Sequence, residues 1–225
     1  MMIRMKQKEF LKQCISFSAF SFIVFGAYLN FEPAVVGAAT TANDSITVTQ
    51  AVTSDLTISA PANVTMTGTI YGMTGGTGDG SATWNVKTSD TSGFGMSLKA
   101  DAVNCLRKSS ESFADYSLAT PHSYSWTAPA VSAFGFTVEP ETDGDTVAAF
   151  LDNGSTTCGS GAVNGASTCW SGFNGTTDIS VISRSTQTDA GGEDELVRFK
   201  SQLITGNFLS EGNYVATITA TATVH

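Results

Sequence analysis

Apolar residues recur at every second position over most of this chain, a pattern that restricts it to extended strands with one buried and one solvated face. Ile46, Val48 and Val52, followed by Leu56 and Ile58, predict a first long strand, or a pair kinked at residues 54–55, ended by Pro61. Val64, Met66 and Ile70 mark the next strand. Ala82, Trp84 and Val86 are answered by Phe94, Met96, Leu98 and Ala100, which makes Trp84 and Phe94 an expected cross-strand pair. The glycine run at residues 74–80 reads as a flexible hairpin connection before that strand. Further alternation appears at Phe134, Phe136 and Val138, at Ile179 and Val181, and at Leu196, Val197 and Phe199. The last segment sets Tyr214, Ala216, Ile218, Ala220, Ala222 and Val224 opposite a row of threonines. A turn at residues 209–213 is expected to fold it back, as a terminal hairpin, onto the strand ending near Leu203. No long stretch carries the period of an amphipathic helix. The expected fold is all-β, an antiparallel Ig-like β-sandwich. It occupies residues 40–225 as one domain, with loop-rich insertions near 104–130 and 139–175.

The first residues place the chain outside the cytoplasm. Arg4, Lys6, Lys8 and Lys12 precede an apolar run over residues 15–29, the layout of an export leader. The run is shorter than the roughly 20 residues a membrane-spanning helix requires, and Ser16, Ser18 and Ser21 interrupt it. Small residues at Val36-Gly37-Ala38-Ala39 invite cleavage after Ala38 or Ala39, with Ala42 as a further site. The leader is read as residues 1–39, and no stable membrane span is expected after processing. Cys14 precedes the apolar run, the wrong order for a lipid-modified cysteine.

Loss of the leader removes four of the 11 basic residues and two of the 20 acids, so the mature chain carries a net charge near -11. Nucleic acid and anionic lipid are poor partners for such a surface. Three cysteines remain in an oxidising compartment. Cys158 and Cys169 bracket a glycine-rich loop without apolar anchors, and are the expected disulfide. Cys105 is then an odd thiol, either buried or available to another chain.

Catalytic signatures are scarce. His122 stands alone beside Pro121, and no Gly-x-Ser-x-Gly occurs, so a histidine-based hydrolase lacks its parts. A glycoside hydrolase needs only a carboxylate pair, which an acid-rich chain leaves open. Glu139, Glu141, Asp143 and Asp145 alternate within one short run, offering several oxygen ligands to a hard cation such as calcium, although the spacing is not that of an EF-hand. Glu193-Asp194-Glu195 is a second, weaker acidic run. Trp126 and Trp170 fall in irregular segments, with Tyr116, Tyr124 and Phe173, where rings either stack on sugars or form the core beneath loops.

Gly80-Ser81-Ala82-Thr83-Trp84-Asn85-Val86, the Phe134-Gly135-Phe136 strand, the Cys169-Trp170 step and Gly212-Asn213-Tyr214-Val215-Ala216-Thr217-Ile218-Thr219-Ala220-Thr221 together resemble secreted surface proteins of small-genome bacteria. The closing strand is also similar to that of WxL-type cell-wall-associated domains, although Trp84-Asn85-Val86 replaces a Trp-x-Leu and no second Trp-x-Leu is present. The resemblance implies an exported surface protein of the same fold class and brings no catalytic residues with it. The function expected from the sequence is a secreted, non-enzymatic structural or adhesion-type sandwich. Its partners would be cell-envelope components, polysaccharide or copies of itself. A carbohydrate-binding module is the alternative, and a glycoside hydrolase the third reading.

Overall fold

The computed structural model describes residues 44–225; the leader and its cleavage sites lie outside the described residues. Residues 51–225 form one compact unit. Ten strands run in chain order: β1 (Leu56–Ile58), β2 (Ile70–Tyr71), β3 (Gly75–Thr88), β4 (Phe94–Ala100), β5 (Arg107–Lys108), β6 (Glu111–Ser112), β7 (Ser132–Pro140), β8 (Ile179–Arg184), β9 (Glu193–Leu203) and β10 (Ile218–Val224). Two 3-10 turns, Asp143–Asp145 and Ala148–Phe150, are the helical structure among the described residues. All strand pairings are antiparallel. The chain is all-β and sandwich-like.

One sheet has the order β1-β3-β9-β7, with β2 also on β3; the second has the order β10-β4-β8; β5 and β6 form a separate hairpin. Alternation explains what lies between the two larger sheets. Ala82, Trp84 and Val86 of β3, Phe136 and Val138 of β7, and Val197 and Phe199 of β9 point inward, where they join Phe94, Met96 and Leu98 of β4 and Val181 and Ile182 of β8 in one buried cluster. Each large side chain buried there contributes about 1.5–3 kcal/mol. Phe150 and Phe173, from the loop-rich stretch after β7, enter the same cluster. That stretch is thereby anchored.

Four expectations are corrected. The first strand is only Leu56–Ile58, because residues 44–55 form no ladder and Ile46, Val48 and Val52 stand exposed. The glycine run is not a hairpin connection: residues 75–80 belong to β3, which pairs with β9 along nearly its whole length. Trp84 and Phe94 are not a cross-strand pair, for Trp84 lies opposite Glu195 in one sheet and Phe94 opposite Arg184 and Val224 in the other. Nor do the last two strands make a hairpin. β9 pairs with β3 and β7, whereas β10 crosses to the second sheet and pairs with β4.

An open groove beside strand β3 as candidate functional site

The edge of β3 opposite β9 is covered at both ends and bare in the middle. At one end Ser59 N donates to Asn85 O at 2.9 Å and Asn85 N donates to Ser59 Oγ at 3.1 Å. At the other, Thr67 N donates to Asp79 O at 2.7 Å and Asp79 N returns a bond to Thr67 O at 2.9 Å. Residues 60–66 make no backbone bond to β3 between these points. In an antiparallel ladder the backbone groups of successive residues point to opposite sides, so Ser81 and Thr83, in phase with Asp79 and Asn85, aim at the uncovered edge. Among the described residues nothing pairs with them on that side.

The space so formed is a groove of about 690 Å³. Pro61, Asn63 and Val64 make one wall, β3 residues 79–83 the floor, and Trp170 and Arg198 the far side. Gly80 allows the first wall to lie close. A Cβ there would stand 2.7 Å from Val64 Cγ1 and 3.3 Å from Met66 Cγ.

The floor is charge-compensated although the chain is acidic. Asp79 Oδ1 receives Lys200 Nζ at 2.7 Å, and Lys200 also lies 5.7 Å from the centre of the Trp170 ring. Arg198, directly opposite Ser81 across the ladder, holds Glu139 Oε2 at 2.6 Å. What remains free to meet a ligand is the hydroxyls of Ser81 and Thr83 and their backbone donors and acceptors. Such a surface suits a polar, uncharged, hydroxyl-rich chain better than an ion.

Trp126 and Trp170 do come together. Trp126 stacks on Tyr116 at 4.1 Å between centroids and meets Trp170 edge-on at 5.2 Å. Trp126 Nε1 donates to Gln202 Oε1 at 2.7 Å, and Trp170 Nε1 donates to Ser167 O at 2.8 Å. The trio packs over Gly135 of β7, where a Cβ would collide with Ser171 O and Tyr116 Cβ at 2.6 and 2.7 Å. It is a second, smaller core on the outer side of the sheet. Trp170 lines the groove while itself buried, and Trp126 is not part of the lining.

Cys158 and Cys169 form a disulfide, with Cα atoms 5.6 Å apart. Asp152, itself buried, ties the same loops together. Its Oδ1 accepts from Gly154 N at 2.6 Å and its Oδ2 from Gly165 N at 3.1 Å and Thr168 Oγ1 at 2.8 Å. Burial pushes this carboxyl up, but the bonds from Thr168, Gly154 and Gly165 outweigh that and hold it below the usual range. Cys105 is buried, and burial, with Asp115 and Asp101 nearby, pushes its thiol up to about 12. His122 packs on Phe150 at 4.5 Å, and burial lowers its pKa.

The acidic run does not stay together. Glu139 is held by Arg198, Glu141 Oε2 accepts from Asp194 N at 3.3 Å, and Asp145 Oδ2 is bound by Arg184 Nη1 at 2.6 Å. Among the described residues no group of three or more His, Cys, Asp or Glu side chains converges on a metal-binding position. The two acidic runs meet instead around Arg184, which pairs with both Asp145 and Glu193. Beside them Glu195 is 2 % exposed, and its Oε2 has no hydrogen-bond partner. Burial, reinforced by Asp145 and Glu193 against Arg184, pushes this carboxyl up to about 8.

Sequence reasoning missed the groove residues Asp79, Ser81, Thr83 and Arg198, and Lys200, which neutralises Asp79. The available signal was the charged and polar row at Asp194, Arg198, Lys200 and Gln202, on the face of the strand opposite Val197, Phe199 and Leu203. The chain matches no protein-family model, no curated protein and no solved structure.

Proposed function

We propose that this chain is an exported, non-enzymatic contact protein. It is an Ig-like β-sandwich working at the cell surface or outside the cell, which adheres to cell-envelope material by holding a neutral, hydroxyl-rich polysaccharide chain in the groove beside β3. The observation that carries this reading is the groove's composition. Its charges are paired with one another, and its free groups are hydroxyls and an uncovered strand edge. The basic and apolar leader and the disulfide agree with an oxidising compartment. Loops and strand margins on a rigid sandwich are where such proteins place their binding groups.

Retention of the purified chain on insoluble envelope polysaccharide measures the proposal directly. Ser81 is exposed, so Ser81→Tyr fills the groove without entering the core. The unaltered chain is expected to be retained and the variant to bind about ten-fold more weakly with its fold intact. Equal retention of the two, or none of either, refutes the groove as the binding site.

A further inference from the structure

The two ends of the larger sheet are unlike. β2 and β3 meet in a hairpin whose tip is residues 72–74, β9 ends at Leu203 and turns through residues 204–208, and β7 begins at Ser132 opposite Leu203. All three loops meet at one end. Met73 O accepts from Gly206 N at 3.3 Å, Gly72 O from Leu209 N at 3.0 Å, Thr74 O from Thr205 Oγ1 at 2.8 Å and Val131 O from Ile204 N at 2.9 Å. A Cβ on Gly72 would stand 2.1 Å from Leu209 O, so the missing side chain is what lets the two loops close on each other. They form one stitched surface.

The large side chains of this surface are turned out. Tyr71, Met73, Phe208 and Val131 are 63, 70, 68 and 53 % exposed. In an otherwise acidic chain, residues 56–78, 116–138 and 201–210 contain no Asp, Glu, Lys or Arg. Asp79 and Lys200, further along the ladder, neutralise each other, as do Lys108 and Glu111 behind Ser210; Glu211 borders the patch. The acids collect at the other ends of the same strands, where Glu141, Asp145, Glu193 and Asp194 lie together. From the Gly76–Leu203 pair to the Val86–Glu193 pair is roughly 30 Å of strand. Charges are screened over about 8 Å in physiological salt, so a surface that touches the apolar end does not feel the acids.

Area and shape say what covers this end. Four side chains exposed to this degree present on the order of 500 Å², as large a patch as soluble monomers carry and usually a functional one. It falls short of the roughly 800 Å² that each partner of a stable dimer buries. A bilayer asks for no matching face, only for apolar side chains on loops that can enter it. Tyrosine, apolar in its ring and polar at its tip, suits the boundary between headgroups and acyl chains. We infer that this end of the sheet docks on a lipid surface. Met73 and Phe208 enter the acyl region, Tyr71 lies at the level of the headgroups, and the acidic end faces away. Because the lipid is met by apolar side chains, a neutral zwitterionic bilayer is sufficient. The groove beside β3 takes no part, and the export reading matters only for removal of the leader.

Cosedimentation with phosphatidylcholine vesicles of the chain recovered from a secreting host reads the docking. The unaltered chain is expected to pellet with the vesicles, and Met73→Ser and Phe208→Ser each to bind about ten-fold more weakly. Both positions are exposed, and circular dichroism identical to that of the unaltered chain establishes that the variants are folded. Both should keep their retention on envelope polysaccharide, which separates this end of the sheet from the groove. Tyr71→Trp gives a second reading, a blue shift of emission when vesicles are added. An unaltered chain that stays in the supernatant, folded variants that pellet as before, or Tyr71→Trp emission that vesicles leave unmoved overturns the inference. So does light scattering that shows a dimer without vesicles which Met73→Ser dissociates, for the occupant is then a second copy. A chain that pellets with vesicles but is not retained on polysaccharide supports the inference and refutes the groove. Repeating the series with a chain begun at Thr40 separates failure of export from failure of docking.

Discussion

Glu195 shows what one side chain can do to the pH response of the whole sandwich. It sits on the core side of β9 with no partner for Oε2, beside Asp145 and Glu193, and the single guanidinium of Arg184 serves all of them. Removing a carboxylate from water without pairing it costs several kcal/mol, so the proton stays on until the carboxyl reaches about 8. An acid whose folded pKa lies above its unfolded value binds its proton more tightly when folded. The stability tied to that proton is complete below the ordinary glutamate value of 4.5 and is lost as pH rises toward about 8. Glu195→Gln keeps the shape and cannot ionise. It is expected to melt with the unaltered chain at pH 4 and to be more stable by on the order of 2 kcal/mol at pH 8.5. Parallel stability curves for the two chains across that interval would mean that Glu195 ionises normally and that its burial carries no such penalty. Asp152 responds in the opposite direction. Its depressed carboxyl contributes stability above the unfolded value that is lost as pH falls through the folded one, so the disulfide-bearing loops loosen first in acid.

Those loops are held at the level of the element by the disulfide, the Asp152 bonds and the aromatic trio whose Trp170 follows Cys169 directly. Replacing Cys158 and Cys169 together by serine releases a short closed loop, which in the chain-entropy model is worth about 3 kcal/mol. Urea titration of the double variant is expected to show a loss of about 2–3 kcal/mol, and tryptophan fluorescence to report loosening around Trp126 and Trp170. An unchanged midpoint would leave Asp152, rather than the disulfide, as the clasp. This pair was legible in the sequence because its spacing and compartment left few alternatives. The inward faces of β3, β4, β7 and β10 were legible too, since alternation states which side chains share a face. It does not state which strand lies next door. For that reason alternation alone pairs Trp84 with Phe94, which belong to different sheets, and joins β10 to β9, although the partner of β10 is β4. The glycines of β3 escape alternation for a related reason: Gly80 is in a strand because it pairs with Phe199 of β9, and it lacks a Cβ because Val64 and Met66 lie against it, neighbours that no local pattern records. Residues 46–52 carry the same signal as a paired strand, and only the structure shows Ile46, Val48 and Val52 exposed. The groove was hidden because it exists only where residues 60–66 leave β3.

At the scale of the molecule, the pairing of β10 with β4 ties the end of the chain to its first half. The ladder runs from Ile218 against Ala100 to Val224 against Phe94, joining segments more than a hundred residues apart in sequence. β4 lies in the middle of its sheet, and its Phe94, Met96 and Leu98 pack into the same core as β3, β7 and β9, so the two sheets share their stabilisation. A body built in this way should unfold as one unit despite its long loops. Loss of Tyr fluorescence, near-ultraviolet dichroism and far-ultraviolet dichroism during urea unfolding of the chain are therefore expected to coincide. Deleting residues 218–225 strips one side of β4, and the prediction is a lower midpoint for the entire transition, with no second step. Trp84 reports on the larger sheet through the shared core. If the truncated chain loses the second sheet while Trp84 stays buried until a separate, later transition, the larger sheet with its groove is independently stable and the shared core is not what holds the body together.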